Sequence, residues 1–549
     1  MKFEEAKYLF NKGTEHLVKK EFKEAIFNLE KSLEILPKRS STIKNLVIAY
    51  IAIGNFKKAQ KFCEILLLNN DNESEILNIL NQIFKKNDKI IEFSKFISTI
   101  IEKKKIDIIY EIQKDLAIPK IFENEKDITH YRNNIENKVN KYNFQTFNKK
   151  YSIDSQALDP PIFALSYDQY DNKKLFTEIV NLYRKLYPKL NYIKDFKKKK
   201  TNKIKIGFIS NFLTNNHTIG KLYKGLIKKL DREKFEISIF NGNQSNKKNL
   251  INNKYILPKN FDESSKLISK QDLDIIFYPD IGMSSQMYFL TFQKLARYQI
   301  TSWGHPETTG NKSIDYFLSS NLMETQDAQN NYSEKLVLSN FLPMYFYKPL
   351  LKKKLDKDSL NYENIYSCLQ ALVKIHPEFD EIIEGILKKD KKAKIYFLKD
   401  KDKILYNKIL KRFNKKIKIG LDRIIFMERL SEEEYINHCG KSSVLLDPLY
   451  FGAGLSFHES MIYGTPTVSR PTKYLKSRIV LGAYKQMKIK NPPIVSSNEE
   501  YIEKAVEIAN NNKLILQMKE NFSNSADKYL YENKDFIKDI EKIFFDIMI

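Results

Sequence analysis

Cysteine is scarce. Cys63, Cys368 and Cys439 are the only three in 549 residues, far apart and without metal-ligand spacing, so neither a disulfide framework nor a zinc site is indicated. Few, scattered thiols suit a reducing compartment. Long apolar runs are missing as well: nowhere do about 18 or more apolar residues run together, and Met1-Lys2-Phe3-Glu4-Glu5 lacks a signal-peptide core. The chain is therefore expected to be cytoplasmic, with no transmembrane segment. Acidic residues are in deficit, 68 against 93 Lys and Arg, for a formal charge of +25. That balance would suit phosphate-bearing partners. The excess is mostly lysine scattered through an Ile- and Asn-rich chain, however, so a dedicated nucleic-acid surface is not expected.

What is present is enough apolar material for several cores: 42% hydrophobic and 13% aromatic residues argue against disorder over most of the length. Near the amino end Glu21-Phe22-Lys23-Glu24-Ala25 returns 34 residues later as Asn55-Phe56-Lys57-Lys58-Ala59, and weakly from Asp88 to Phe93. This is the tetratricopeptide period. Ala25 and Ala59, with Leu33 and Leu67, fall on one helical face, and Pro37 closes the first repeat. Such repeats bind other proteins, so a protein or peptide partner is expected. The segment 104–200 reads as a helical connector or the start of the next module, with helices at Lys126 to Tyr142 and Lys173 to Leu186 around Pro160-Pro161. The run Lys197 to Lys200 reads as a linker.

From Ile204 the pattern changes. Strand-like runs at Ile204 to Ser210, Phe235 to Phe240, Leu273 to Tyr278, Tyr298 to Trp303 and Ile314 to Leu318 alternate with helical stretches. The alternation restarts at Ile365 to Leu369, Lys394 to Leu398, Arg423 to Met427, Val444 to Asp447 and Pro466 to Ser469. Alternating strands and helices imply doubly wound parallel sheets. The expected fold is thus α/β, two Rossmann-like lobes at 201–360 and 361–549 with a cleft between them, preceded by helical repeats over 1–103.

The stretch from Leu446 to Glu459, followed by Gly464-Thr465-Pro466, reads as a strand, a glycine turn and a helix. Gly452 and Gly454 allow close backbone approach to a ligand, and the N–H groups of a helix opening near Leu455 make an anion site suited to a diphosphate.

This stretch resembles the donor-site signature of the O-linked N-acetylglucosamine transferase and Spindly family, glycosyltransferase family 41. The resemblance continues in the family's order through Ile206 to Ser210 with Asn216-His217-Thr218, Trp303 to Gly310 with Ile314-Asp315-Tyr316, Tyr332 to Leu336, Lys374-Ile375 with Pro377, and Arg423 to Phe426. It covers roughly Lys105 to the carboxyl end, and is closer to bacterial Spindly-like members than to the animal enzyme. It implies a GT-B fold of two Rossmann-like domains and a nucleotide-sugar co-substrate, without a metal or other cofactor. Lys374 then matches the lysine on the donor diphosphate. Ser456 and the backbone at Leu455 match a threonine pair that holds the phosphates, with one hydroxyl surviving, and Glu459 matches a carboxylate that can meet the ribose or the sugar.

Tyr435 stands where the animal enzyme has a histidine against the base, and is equally readable as a helix-surface tyrosine. Ala371 replaces a glutamine that helps read the nucleotide, with Gln370 adjacent as a substitute. His217 matches a histidine beside the sugar that could take a proton or orient the donor. Asn211 replaces an aspartate, leaving open how its loop is held. Thr308 and Thr309, with Gly310, are expected to line the cleft; His305 is as readily structural. His16, His130, His376 and His438 carry no such context, and His458 adjoins the turn but can point away from it.

The implied reaction is an inverting transfer of an N-acetylglucosamine-like sugar from a nucleoside diphosphate to Ser or Thr of a protein. Transfer to asparagine, transfer of glucose or fucose, and a catalytically inactive repeat scaffold are the alternatives.

Overall fold

The computed structural model describes residues 2–68, 76–77, 79–80, 84, 90–103, 107–156, 158–196, 203–242, 254–355, 363–401 and 403–549. The start of the weak third repeat at Asp88 and the run Lys197 to Lys200 lie outside them. The chain divides into two compact units, Met1–Pro119 and Lys120–Ile549.

The first unit is helical. Helices Lys2–Val18, Phe22–Ile35, Ser40–Ala52 and Phe56–Leu68 follow one another through short turns. Ala25 and Ala59, the small residues that mark the repeat, are completely buried with Leu29, Leu46 and Ala49. A methyl group at those positions lets neighbouring helices approach without a void.

The second unit opens with a helical segment. Asn124 caps the helix Glu125–Phe144 by accepting the Asp127 N–H at 3.0 Å. A second long helix, Lys173–Leu186, packs beside it, and the Asn143 amide donates to the Glu178 carbonyl at 2.9 Å.

Seven parallel strands follow: β1 Ile204–Ile209, β2 Phe235–Asn241, β3 Lys254–Ile256, β4 Ile275–Tyr278, β5 Tyr298–Ser302, β6 Tyr316–Ser320 and β7 Lys335–Ser339. They lie in the order β3-β2-β1-β4-β5-β6-β7, with Ile206 opposite Ile237 on one side and Ile275 on the other. A second parallel sheet holds β8 Ile365–Cys368, β9 Lys394–Leu398, β10 Ile424–Met427, β11 Val444–Leu446 and β12 Thr467–Val468 in the order β10-β9-β8-β11-β12. Strands covered by helices on both faces must be apolar throughout, which is why Ile-Ile-Phe-Tyr and Val-Leu-Leu occur as unbroken runs. The expected strand at Ile314 begins two residues later, at Tyr316, and Asp315 just before it accepts the Gln299 N–H through its carboxylate at 2.6 Å.

Strand order reverses direction between β1 and β4 in the first sheet, and between β8 and β11 in the second. In doubly wound sheets the crevice beyond the carboxyl ends at such a reversal is where ligands bind. The last helix, Lys534–Met548, returns to the first sheet: Phe536, Ile540 and Phe544 share a core with Phe235 and Ile237.

Candidate functional site

Lys374 and the glycine turn meet at the reversal of the second sheet. Lys374 ends a short 3₁₀ turn, Leu372–Lys374, after β8, and the turn follows the neighbouring strand β11. The Lys374 ammonium donates to the Gly452 carbonyl and to Gln370 Oε1, both at 3.0 Å, and lies 5.0 Å from the centre of the Phe451 ring. Among the described residues no carboxylate forms an ion pair with it. Burial pushes its pKa down to about 8, with the Asp447 carboxylate opposing the shift. A cation left among neutral acceptors in a desolvated place is a seat for an anion.

Asp447 shapes the turn rather than facing a ligand. Its carboxylate accepts the Ala453 N–H and the Ser469 hydroxyl, each at 2.6 Å, and is buried. The two glycines serve differently. A side chain on Gly452 would press against the Asp447 carboxylate, 2.9 Å from its Oδ2. A Cβ on Gly454 would meet only the Trp303 ring, at 3.5 Å, so that side of the backbone is open. The helix Leu455–Ser460 starts there, with first-turn N–H groups that have no partner within the helix. Ser456 is partly exposed and its hydroxyl accepts the Gln370 amide at 2.7 Å, while Tyr435 donates to the Ser456 carbonyl at 3.4 Å. Lys374, Gln370, Gly452, Ser456 and Tyr435 thus form one hydrogen-bonded cluster, with Gly454 and Leu455 adjoining it in the chain. His458 turns away from it: its Nδ1 faces the Gly454 carbonyl at 2.9 Å and its ring lies in the core between Trp303 and Phe346.

His217 comes from the other lobe, in the loop after β1. It caps the helix Thr218–Lys229, its Nδ1 accepting the Ile219 N–H at 3.2 Å, and its ring stacks on Phe212 with centroids 4.6 Å apart. Burial lowers its pKa. A neutral ring that accepts at Nδ1 carries its proton on Nε2, so what it offers a ligand is a donor. The loop is compact because Gly220 packs under it: a Cβ there would stand 1.7 Å from the Thr214 carbonyl oxygen. Asn211 holds the loop where an aspartate was expected, accepting the Gly242 N–H at 2.7 Å and donating to the Ser284 hydroxyl at 3.1 Å. One turn after His217, Lys221 reaches across to Glu459 at 2.7 Å and Glu432 at 2.9 Å.

Of the segment from Trp303 to Gly310, Trp303 lies against Gly454, and the residues from His305 onward go elsewhere. Thr308 donates to Glu334 at 2.7 Å, and Thr309 bonds Glu334 through both its N–H and its hydroxyl, all in the interior. The structure does not bring these threonines into the Lys374 cluster. His305 is buried, faces the Ser166 hydroxyl at 3.0 Å, and has its pKa pushed down to about 4 by burial. Glu307 accepts from Asn172 at 3.0 Å and from the wholly buried Lys476 at 2.8 Å. Gly310 passes so close to the helix Lys173–Leu186 that a Cβ would lie 2.4 Å from Phe176 backbone. These residues clamp the helical segment onto the two sheets.

Nothing in the sequence foretold how far that segment enters the site. Its loop 166–172 lies between the lobes: Tyr167 packs on Phe451 with centroids 4.9 Å apart, Gln169 faces His376 at 3.2 Å, and Asp168 lies 3.4 Å from Arg132 and 3.8 Å from Lys476. The Lys476 carbonyl in turn accepts the Gly452 N–H at 2.8 Å. The one signal available was the polar run Ser166-Tyr167-Asp168-Gln169-Tyr170-Asp171-Asn172 between apolar helices.

Two parallel doubly wound sheets, each with an order reversal and with helical repeats ahead of them in the chain, define the class: a two-lobed GT-B fold. Comparison with known proteins refines this. Residues 18–83 match the tetratricopeptide repeat model, and residues 352–540 match the model of glycosyl transferase family 41.

It is similar to the probable UDP-N-acetylglucosamine–peptide N-acetylglucosaminyltransferase SEC of Arabidopsis thaliana, 23% identical over 368 residues that cover 62% of this chain and 37% of that one. It also resembles the UDP-glucose:protein N-beta-glucosyltransferase of Actinobacillus pleuropneumoniae serotype 5b, 23% identical over 265 residues covering 47% and 40%. The chain thus spans about two fifths of the length of the curated relatives it matches. Among solved structures, a mutant O-GlcNAc transferase of Thermobaculum terrenum has the same fold, with a TM-score of 0.68, 14% identity and coverage of 99% and 97%.

Proposed function

We propose that this chain transfers a sugar from a nucleoside diphosphate donor to a serine or threonine hydroxyl of a protein, with inversion at the anomeric carbon. The observation that carries the reading is the Lys374 ammonium, largely withdrawn from solvent, without an ion-pair partner among the described residues, and bonded to the glycine turn at a helix start. The acceptor oxygen attacks the anomeric carbon, the bond from that carbon to the diphosphate oxygen breaks, and the acceptor's proton leaves to solvent or a base. Charge grows on the departing diphosphate, where Lys374 and the N–H groups at Leu455 and Ser456 stabilise it, a role metal ions play in other transferases. His217, with Nδ1 engaged by Ile219, donates from Nε2 and orients the donor sugar. Gln370 and Tyr435 flank the base, and Glu459 meets the ribose or the sugar. The helical repeats hold the acceptor polypeptide. Three buried, unpaired cysteines accord with a cytoplasmic setting.

The test is product mass after incubation with candidate UDP- and GDP-sugars and a protein lysate, followed by base elimination. A gain of one sugar that base removes supports the reading. Resemblance to a protein N-beta-glucosyltransferase favours one second reading, transfer to asparagine, and a base-resistant adduct would replace the first reading with it. No adduct from any donor would contradict both.

A further inference from the structure

Lys221 is the only described cation that reaches from the first lobe to the helix after the glycine turn. It sits one turn after His217 on the same face of the helix Thr218–Lys229, as residues four apart do. Its ammonium lies 2.7 Å from Glu459 on the helix Leu455–Ser460 and 2.9 Å from Glu432, the first residue of the helix Glu432–Lys441. Lys221 and Glu459 are both largely buried, whereas Glu432 is half exposed. Three elements from two lobes therefore converge on one ammonium beside the Lys374 cluster.

Glu459 is otherwise poorly placed to carry charge. Burial raises its pKa, Glu432 adds to the rise, and Lys221 opposes it. Tyr435 and Cys439 from the helix Glu432–Lys441, and Tyr531 from the carboxyl-terminal region, also feel its field, and none of them is a cation. A carboxylate in such surroundings protonates unless a cation stays with it, and a protonated acid is a weaker acceptor for a sugar hydroxyl.

We infer that Lys221 is a positioning residue for the donor site: it holds Glu459 ionised and aimed into the cleft, and couples that carboxylate to the lobe that carries His217. The inference rests on the proposed function, since it assigns the carboxylate a polyhydroxyl ligand, the ribose or sugar of a nucleotide donor.

The experiment is calorimetric titration of the full chain with UDP, GDP, UDP-N-acetylglucosamine and UDP-glucose at pH 6 and pH 8. It compares wild type, Lys221→Met, Lys221→Arg, Glu459→Gln and Lys221→Met/Glu459→Gln, with thermal unfolding as a folding check. Lys221→Met should weaken the ligand that wild type binds by about tenfold at pH 8, the scale of a hydrogen bond to a charged group, and by more at pH 6. Lys221→Arg should recover most of the loss. In the Glu459→Gln background, Lys221→Met should have little further effect and the added pH dependence should vanish. Equal binding by wild type and Lys221→Met at both pH values, or an undiminished loss in the Glu459→Gln background, would overturn the inference while leaving the proposed function standing. Failure of wild type to bind any of the four ligands would overturn both.

Discussion

Two motif-bearing segments, Trp303 to Gly310 and Asp447 to Glu459, look alike in sequence, each with glycines, hydroxyl residues and a histidine. In the folded protein they differ in where their polar groups end. In the first, Thr308, Thr309 and Glu307 are buried and matched to Glu334, Asn172 and Lys476, and His305 meets Ser166 through one ring nitrogen while its Nδ1 has no hydrogen-bond partner among the described residues. In the second, Asp447 is spent on the turn, while Gly454 and Ser456 are partly exposed and the Lys374 ammonium bonds only neutral acceptors among the described residues. A buried network whose charges are paired fixes an arrangement of elements; a charge without an ion-pair partner at a helix start suits an anionic ligand.

The comparison can be broken at either end. The largest expected effect is on stability: Lys476→Met leaves Glu307 without its buried cation, with only Asp168 still paired to Arg132, and should cost about 3–5 kcal/mol. It should appear as a lowered thermal midpoint, with the folded fraction still binding nucleotide. Next, Lys374→Met should reduce transfer at least about a hundredfold, the scale of losing a transition-state electrostatic group, with an unchanged midpoint. A smaller effect is expected from Thr309→Val, which removes a donor to Glu334 and should destabilise by about 1–3 kcal/mol while leaving the donor KM near that of wild type. A raised donor KM in that variant would instead place Thr309 against the sugar.

The pH dependence sharpens the same contrast. Lys374 has its pKa lowered to about 8, so it is protonated below that value and loses its charge above it. Donor affinity of the free enzyme should therefore fall as pH rises past about 8, and Lys374→Met, already uncharged, should lack that limb. His305, with its pKa pushed to about 4, is neutral across this range and contributes nothing to it.

Much of the fold was legible because buried parallel strands announce themselves as apolar runs: Lys394–Leu398 and the helix Lys173–Leu186 occur where periodicity placed them. Lys254–Ile256 was not read as a strand, being three residues long with a lysine at its start. Lys335–Ser339, at the sheet edge, is only half apolar in its burial and hides inside a motif. At the site, Lys374 and the glycine turn could be found because helix starts and glycines leave local marks. Lys221 and Lys476 could not. Their meaning lies in partners 238 residues away for Lys221 and on two other segments for Lys476, and each is one lysine among many in a strongly basic chain. The motif alone points the threonines of Trp303 to Gly310 toward the cleft; what a hydroxyl bonds depends on Glu334, a residue whose proximity no local pattern reveals.

The central claim, that Lys374 and the turn from Phe451 to Glu459 form an anion-binding donor site, is tested most directly by a thermal-shift screen of UDP- and GDP-sugars on wild type and Lys374→Met. The account predicts that one nucleotide series raises the wild-type midpoint, as binding to the folded state must, and that the same compounds barely move the variant. Equal shifts in the two proteins, or no shift in wild type with any compound, would contradict it.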